Sequence, residues 1–435
     1  MYSEVMPRGQ AAMPAIRWLI IWMCFLSGAI AYIDRVNLAI AAPNVRAELG
    51  LNSAQMGLVL SAFFWMYAAV QLPAGSIVDK VGVRLSLAFA VCWWSLFTMA
   101  TGLARGMAEL IGARVMLGLG EAGALPSCVK SAFNWFPRSE RGLACGILNS
   151  GGATGSALSL PLVTALIAML GWRGSFIVTG LLGIAWALAW WVIYRDPERY
   201  RVVAPAEVEA LLALRGASPS SAASINISWL DLFRYRSIWG LMIGLFCLDF
   251  AIYFFITWFP SYLLQARGFS LTSLGTVGMI PASMAVVGNW LGGYTSDHLL
   301  KRGWSATKAR KSCLVGGMLM ASSIGLSAFV NSTAVSLALL SLAYCSLAFS
   351  GANVWAVGSE IAPTPAHVAS IGAIQNFAGN LAGIMIATFT GVMVLLNGGS
   401  FLVPLALAGS LCIVGALSYL FIVGKVEPLP RLPNR

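Results

Sequence analysis

The sequence predicts an all-α membrane protein with twelve transmembrane helices arranged as two six-helix halves. Three observations support this fold class. The 435 residues are 59% hydrophobic and only 10% charged, whereas soluble domains carry about 25% charged residues. Twelve long apolar stretches follow one another, and one short motif occurs once in each half. So few charged side chains cannot cover the surfaces of the two or three soluble domains that this length would otherwise form.

The apolar stretches have the length that a bilayer requires. A hydrocarbon core about 30 Å thick needs about 20 apolar residues per helix. In chain order, the predicted spans are 16–42, 54–78, 85–104, 107–130, 141–170, 173–194, 237–265, 272–297, 312–330, 333–358, 367–394 and 400–424. The first span follows Arg8 and Arg17 and lacks a short apolar region with a cleavage site, so we expect a retained helix and not a signal peptide.

The basic residues are distributed unevenly between the predicted loops. With the N-terminus in the cytoplasm, inside segments hold 21 of the 27 Lys and Arg residues and outside segments hold four. The other two, Arg35 and Arg114, lie within spans. By the positive-inside rule, both termini are predicted to be cytoplasmic. The net charge of +11 therefore indicates topology, and we expect no nucleic-acid partner.

The longest polar interval, 195–236, separates six spans from six and predicts a cytoplasmic linker. It divides the chain into an N-terminal half, 1–194, and a C-terminal half, 237–435. The halves also share a motif. The pattern G-x-x-x-D occurs as Gly75-Ser-Ile-Val-Asp79 and as Gly293-Tyr-Thr-Ser-Asp297, each at the inner end of the second helix of its half. Duplicated halves around a midplane site are the architecture of secondary transporters.

Enzyme chemistry and metal binding have little support in the sequence. The eight Cys lie in apolar stretches without a C-x-x-C pair, and there are only two His. Such cysteines are typical of small buried hydrophobic residues rather than of disulfides or zinc ligands. Because the sequence also lacks the spacing of a nucleophile and its base, we expect neither a membrane-embedded enzyme nor a metal cofactor.

Several motifs resemble those of a known transporter family. The segment Gly75-x-x-x-Asp79-Lys-x-Gly82-x-Arg84 resembles the loop signature of the major facilitator superfamily. Five further elements resemble its anion:cation symporter family: Tyr32-Ile-Asp34-Arg35-x-Asn37-Leu38, Arg114-x-x-Leu117-Gly118-x-Gly120-Glu121-Ala122, Asn134-Trp135-Phe136-Pro137-x-x-Glu140-Arg141-Gly142, Thr257-Trp258-Phe259-Pro260-x-Tyr262-Leu263 and Gln375-Asn376-Phe377-Ala378-Gly379-Asn380.

That family includes bacterial permeases for galactonate, hexuronate, glucarate and phthalate, and its animal relatives are sialin and the vesicular glutamate transporters. The resemblance implies the major facilitator fold, a multi-pass location in a bacterial inner membrane, and proton-coupled import of a small organic anion by alternating access. A sugar acid (an aldonate, uronate or aldarate) is the expected substrate. Aromatic or other carboxylates, and efflux through the same fold, are the alternatives. We expect a monomer, with the proton as coupling ion and no other cofactor.

Five ionisable residues lie inside predicted spans, where they are costly and mark transport pathways by default. They are Asp34, Arg35, Arg114, Glu121 and Asp249. With the predicted ends, Asp34 lies about 12 Å and Arg114 about 10 Å below the outer surface at 1.5 Å per residue, so the two are expected to pair if their helices adjoin. Glu121 lies two turns deeper on the face of Arg114 without an opposite charge in its own turn, and burial there favours its neutral form.

The resemblance assigns roles to these charges. Arg35 lies about 100° around the helix from Asp34 and is expected to face the central cavity, where its guanidinium can bind a substrate carboxylate through two hydrogen bonds. Asp34 and Glu121 match the carboxyls implicated in proton coupling, with Arg114 as charge partner. Asp249 departs from the family, which more often has a neutral polar residue there. Three interpretations of Asp249 stay open: a third titratable site, a ligand for a substrate hydroxyl, and a solvated structural residue.

Other polar and aromatic residues complete the predicted cavity, because polar groups at membrane depth tend to line one. The further substrate-binding candidates are Tyr32, Tyr67, Tyr253, Trp355, Gln375 and Asn376. Four charged residues at the cytoplasmic ends of spans are expected to act as latches between helices as the halves rock: Asp79, Arg84, Arg141 and Asp297. The segment Gly151-Gly152-Ala-Thr-Gly155 in span 5 is expected to permit close helix packing.

Overall fold

A computed structural model describes residues 15–137, 140–199, 229–363 and 367–430, and within these ranges the protein is helical without β-strands. We number the spans α1 to α12. In the first half they are Ile16–Leu49 (α1), Ser53–Val81 (α2), Val83–Leu103 (α3), Met107–Glu121 with Ala124–Trp135 (α4), and Arg141–Ile193, which contains α5 and α6.

The second half contains the other six spans. They are Arg236–Thr257 with Phe259–Gln265 (α7), Leu271–Thr276 with Met279–Lys301 (α8), Ala306–Ala321 with Ser323–Leu326 (α9), Thr333–Glu360 (α10), His367–Leu396 (α11), and Leu402–Leu417 continued by the π turn Ser418–Ile422 (α12). Short 3-10 turns at Pro197–Arg199 and Trp229–Arg234 belong to the predicted linker. Residues 200–228 of that linker lie outside the described residues, as does Arg8.

The twelve predicted spans are confirmed, although only nine helices in the described ranges are individually long and apolar enough to cross a membrane. Two spans are missed by that criterion because each is broken into shorter pieces, of 15 and 12 residues in α4 and of 16 and 4 residues in α9. The one remaining span is accounted for by the helix Arg141–Ile193, which contains two spans. Its 53 residues would measure about 80 Å as one rod, far more than a bilayer core.

Gly171 divides that long helix into α5 and α6. Its φ of 70° and ψ of 172° interrupt the helical conformation, and a positive φ is readily adopted by glycine because it has no Cβ atom. The break falls between 170 and 173, where the two spans were predicted to end and begin. The chain therefore reverses direction and crosses the membrane twice.

Side-chain caps begin several of the other spans. Asn52, Ser270, Ser305 and Ser332 each accept a hydrogen bond from the backbone N–H three residues further on. Such residues replace the hydrogen-bond partners that the first turn of a helix lacks. The starts of α2, α8, α9 and α10 are thus encoded locally in the sequence.

Glycines allow backbones to touch within each half. A Cβ atom at Gly151 or Gly155 would collide with the carbonyl oxygen of Phe25 or Ala29 in α1. The close packing of α5 that the sequence predicts is therefore confirmed. In the second half, Gly292 of α8 approaches the backbone of Phe349 in α10 in the same way. These approaches without intervening side chains are typical of helices packed in a membrane.

Contacts between the two halves include a set at one end of the molecule. We call the side where α1 begins and α12 ends the terminal side, and the other the far side. On the far side, a Cβ atom at Gly57 of α2 would lie 2.7 Å from the carbonyl oxygen of Ala387 in α11, and Gly275 of α8 packs against Thr164 of α5. The far side is therefore closed by direct contact between the halves.

We expect the α1–α5 contact to tolerate no added atom. The change Gly155→Ala places a methyl group against the backbone of Ala29, and overpacking of this kind costs about 1–3 kcal/mol. Its thermal unfolding midpoint in detergent should fall clearly below that of the unmodified protein.

The matched control is Gly146→Ala on the same helix. A Cβ atom at Gly146 meets nothing within 4 Å, and alanine is favoured over glycine in a helix by up to about 1 kcal/mol. Its midpoint should stay level or rise. Equal midpoints for the two variants would contradict the tight α1–α5 contact.

Candidate functional site

An ion pair between α1 and α4 lies at the centre of the first half. The Arg35 guanidinium donates a hydrogen bond through Nη2 to Oε1 of Glu121. Both side chains are buried, with 6% and 4% of their surface exposed. Two opposite charges that are removed from water together form a locally neutral unit, which either residue alone would not.

This pairing corrects the predicted one between Asp34 and Arg114. The structure extends α1 through Pro43 to Leu49, where Gly50 ends it in a left-handed conformation. Arg35 therefore lies 14 residues before the end of α1, and Glu121 lies 14 residues after the start of α4, so both are about 21 Å below the far side. By the same arithmetic Asp34 and Arg114 are about 12 Å apart in depth, too far for an ion pair.

Asp34 instead lies beside α3 and α6. It is completely buried, and neither carboxylate oxygen has a hydrogen-bond partner among the described residues. The hydroxyls of Thr98 and Thr179 lie beside it. Arg114 is also buried, and its Nε and Nη1 atoms likewise have no described partner. The four charges of the first half still lie within electrostatic range of one another.

Aromatic rings surround the Arg35 guanidinium. Its Cζ atom lies 4.8 Å from the ring centre of Tyr32, 4.5 Å from that of Phe63 and 4.9 Å from that of Tyr67. A guanidinium within about 6 Å of an aromatic face is attracted to the ring electrons. Tyr32 and Tyr67 are thus brought to Arg35 as expected. Phe63 was not anticipated, because an apolar side chain in a span has no distinguishing signal in the sequence.

A cavity of about 150 Å³ opens beside this cluster. Arg35, Glu121, Tyr32 and Tyr67 line its deep end. The remaining lining residues continue towards the terminal side: Cys24, Ser27, Gly28, Ala31, Ala124, Leu125, Cys128, Leu148, Asn149 and Gly152. Among the described residues, the cavity is lined by the first half alone. Its position, with the far side closed, makes the site reachable from the terminal side.

Side chains of the second half also lie near this cluster. Tyr253 of α7 packs edge-on against Phe64 of α2, with ring centres 4.7 Å apart. Asp249 lies one turn from Tyr253 on the same helix face, nearer the terminal side. Its carboxylate lies directly against Gly379 of α11, where a Cβ atom would collide with Oδ2. Tyr32 of the first half lies within electrostatic range of Asp249, which places Asp249 near the space between the halves.

An amide cluster joins α2 to α11 across that space. The Asn380 Nδ2 atom donates to Gln71 Oε1 at 2.9 Å and to the backbone carbonyl of Asn376 at 2.9 Å. Asn376 is partly exposed in this cluster. Sequence analysis missed Gln71 and Asn380. The available signal was that Gln71 is a polar residue within span 2, one turn beyond Tyr67.

The last two cavity candidates have different surroundings. Gln375 is buried between α10 and α11, with its Oε1 against Gly358 and its Nε2 without a described partner. Trp355 of α10 is 51% exposed and reaches towards Gly372 of α11, where a Cβ atom would lie 3.9 Å from its ring. Trp355 is therefore the more accessible of the two from the terminal side.

The four predicted latch residues all contact neighbouring spans of their own half. Asp79 forms an ion pair of 2.7 Å with Lys130, and Arg84 donates from Nε to the Trp191 carbonyl at 3.0 Å. Arg141 donates from Nε to the Phe136 carbonyl at 3.2 Å.

The fourth, Asp297, lies 3.5 Å from Arg310, which also pairs with Glu360 at 3.0 Å. Lys130 and Arg310 were not anticipated from the sequence. Their partners come from different spans, and a single sequence does not show which spans are neighbours. No group of three or more His, Cys, Asp or Glu that could hold a metal ion occurs in the described ranges.

Comparison with known proteins identifies the family. The Major Facilitator Superfamily profile matches residues 24–388. The chain belongs to the major facilitator superfamily. It is accordingly a multi-pass transporter of the inner membrane, as predicted, and not an enzyme.

Curated relatives align over nearly the whole chain. The D-galactonate transporter of Escherichia coli O6:H1 is 34% identical over 418 residues, covering 94% of this chain and 96% of the relative. The protein named "Probable galactarate/D-glucarate transporter GudP" of Bacillus subtilis is 34% identical, covering 98% and 95%. The hexuronate transporter of Bacillus subtilis is 31% identical, covering 95% and 96%.

Solved structures share the fold. A bacterial homolog of the human lysosomal transporter Spinster, in an inward-facing and unoccupied conformation, superposes with a TM-score of 0.74 at 20% identity. The match covers 95% of this chain and 96% of that one. The superfamily fold is therefore found both by sequence and by structure.

The revised charge pairing predicts a specific pattern of stabilities. Removing one partner of a buried pair leaves an uncompensated charge and costs about 3–5 kcal/mol. We therefore expect Arg35→Gln and Glu121→Gln each to lower the thermal unfolding midpoint, and the double variant to be more stable than either single one. The measurement is thermal unfolding in detergent for a double-mutant cycle.

The matched cycle uses Asp34→Asn and Arg114→Gln. Because these two residues lie at different depths, their effects should be closer to additive than those of Arg35 and Glu121. A larger coupling for Asp34 with Arg114 would restore the pairing first predicted from the sequence.

Proposed function

We propose that this protein is a proton-coupled symporter that imports a sugar acid by alternating access. The observation that carries the proposal is the Arg35–Glu121 pair at the deep end of a central cavity. A fixed guanidinium, ringed by aromatic faces and open to a cavity, is suited to bind a carboxylate through two hydrogen bonds. Glu121 supplies the carboxyl that takes up and releases the proton.

The same pair couples the proton to the substrate. While Glu121 is ionised it occupies the Arg35 guanidinium, and a substrate carboxylate must compete with it. Protonation of Glu121 removes that competitor and leaves Arg35 as an uncompensated cation, which favours the anion. Linkage requires the converse, so bound anion promotes protonation of Glu121. Asp34, which is buried away from the cavity, serves as the second carboxyl in this scheme and Arg114 as a nearby cation.

A sugar acid is the substrate class that best suits the cavity. Relatives that align over almost the full chain are named for galactonate, galactarate or glucarate, and hexuronate. Beyond the carboxylate, such a substrate presents a row of hydroxyl groups. The hydroxyls of Tyr32, Tyr67 and Tyr253 and the amide of Asn376 can exchange hydrogen bonds with that row. An aromatic carboxylate would leave these polar groups unpaired, which is costly.

The proposed topology places both termini, and therefore the terminal side, in the cytoplasm. The structure then corresponds to an inward-facing state, with the contacts of Gly57 and Gly275 closing the outer side. The six-helix halves 1–194 and 237–435 rock about the site, connected by the linker 195–236. The ion pairs of Asp79 and Asp297 brace each half at its cytoplasmic end. We propose that the monomer is the transporting unit.

Arg35→Lys should weaken substrate binding at least tenfold without unfolding the protein. Lysine keeps the positive charge and can still pair with Glu121, but it lacks the planar two-donor fork. Binding of D-galactonate to the purified variant, followed by thermal shift or calorimetry, measures the effect. Arg105→Lys, at an exposed position before α4, is the control and should bind normally. Unchanged affinity in folded Arg35→Lys would exclude Arg35 as the carboxylate ligand.

Glu121→Gln should separate substrate binding from proton coupling. Glutamine resembles the protonated acid in size and hydrogen bonding but cannot release a proton. In liposomes the variant should exchange labelled for unlabelled D-galactonate, yet fail to accumulate it under an inward proton gradient. Full proton-driven accumulation by the variant, or accumulation by the unmodified protein under a sodium gradient at symmetric pH, would refute the coupling scheme.

A further inference from the structure

Asp249 is an acidic side chain at membrane depth with no compensating charge. It lies 13 residues into α7, about 20 Å from the terminal end of that helix. It forms no ion pair or hydrogen bond with any residue in the described ranges. The residue is partly exposed, and it lies within electrostatic range of Tyr32 in the first half. A carboxyl at this depth is costly and is retained where it serves the transport pathway.

The neighbours of Asp249 place it on the wall opposite Arg35. Its carboxylate lies against Gly379, the residue immediately before Asn380 of the amide cluster. Tyr253, one turn further along α7, touches Phe64 of α2. Both Tyr253 and Tyr32 lie within electrostatic range of Arg35 and of Asp249. The site therefore has a guanidinium on the side of the first half and a carboxyl group on the side of the second.

We propose that Asp249 is a specificity-determining residue that selects polyhydroxy acids with a single carboxylate and disfavours dicarboxylates. This inference rests on the proposed function, because it assumes that Arg35 holds one carboxylate of the substrate. The distal end of the substrate then faces Asp249. A terminal hydroxyl donates a hydrogen bond to the Asp249 carboxylate, whereas a terminal carboxylate meets a like charge in a poorly solvated site.

Family membership does not decide between these two substrate classes. One relative is named for galactonate, which has one carboxylate, and another of equal identity is named for galactarate and D-glucarate, which have two. Asp249 is the side chain on the distal wall that distinguishes the two chemically. In this protein it favours the aldonates and uronates over the aldarates.

D-galactonate and galactarate form a matched pair of probes. They share a six-carbon polyhydroxy chain and differ at one end, where a CH₂OH group replaces a carboxylate. Each is added as unlabelled competitor to counterflow of labelled D-galactonate in liposomes. For the unmodified protein we expect galactonate to compete at a concentration at least tenfold lower than galactarate.

Asp249→Asn should reduce that ratio at least fivefold, mainly because galactarate competes better. Asparagine keeps the size and the hydrogen-bonding oxygen but removes the charge. Asp249→Glu, which keeps the charge, should retain a preference for galactonate. Glu109→Gln changes an exposed carboxylate at the start of α4, outside the cavity, and should leave the ratio unchanged. Thermal shifts of the detergent-solubilised variants with the two acids give a second measurement where a variant transports poorly.

The outcomes distinguish this inference from the proposed function. An equal response of the unmodified protein to the two acids, or an unchanged ratio in Asp249→Asn, would overturn the role of Asp249 while leaving sugar-acid transport intact. If the unmodified protein neither exchanges nor binds either acid, the proposed function itself fails. A ratio that falls in Asp249→Asn and is kept in Asp249→Glu and Glu109→Gln supports the inference.

Discussion

The ion pair of Arg35 and Glu121 is the interaction on which the rest of the site depends. Neither charge is stable alone at membrane depth, because water cannot solvate it there. The pair fixes α1 against α4 at one depth and brings the guanidinium among Tyr32, Phe63 and Tyr67. Because the pair is stable only while both charges are present, a proton on Glu121 or an anion bound at Arg35 weakens the ion pair.

Glycine residues let neighbouring helices touch through their backbones, and these contacts form the scaffold around the pair. Gly151 and Gly155 let the backbones of α1 and α5 meet, and Gly292 does the same for α8 against α10. Backbone contacts of this kind have no rotamers to adjust, so each half moves as a unit. The contacts at Gly57 and Gly275 are of the same type but lie between halves, where they must separate for the far side to open.

Much of the fold, and the identity of the charged residues, could be predicted from the sequence. The length of an apolar stretch and the presence of a charged residue within it can both be read from a short segment of the chain. The pairing of the charges could not be predicted in this way. It depends on the seven residues by which α1 continues beyond its predicted end, through Pro43 to Leu49, and that extension moves the depths of Asp34 and Arg35 by about two turns. Gln71, Lys130 and Arg310 were missed for a related reason, since each acts through a partner on another span.

Alternating access places a requirement on the ligand that the two walls of the cavity can meet. A ligand shifts a conformational equilibrium only if it binds the two conformations with different free energies. A substrate held by Arg35 alone would move with the first half, and its binding free energy would not change as the second half closes around it. A substrate that reaches from Arg35 to Asp249 or Asn376 touches both halves, and its contacts with the second half are made or broken as the halves rock. Under the proposed function, the placement of Arg35 and Asp249 on different halves is what allows binding to drive the movement.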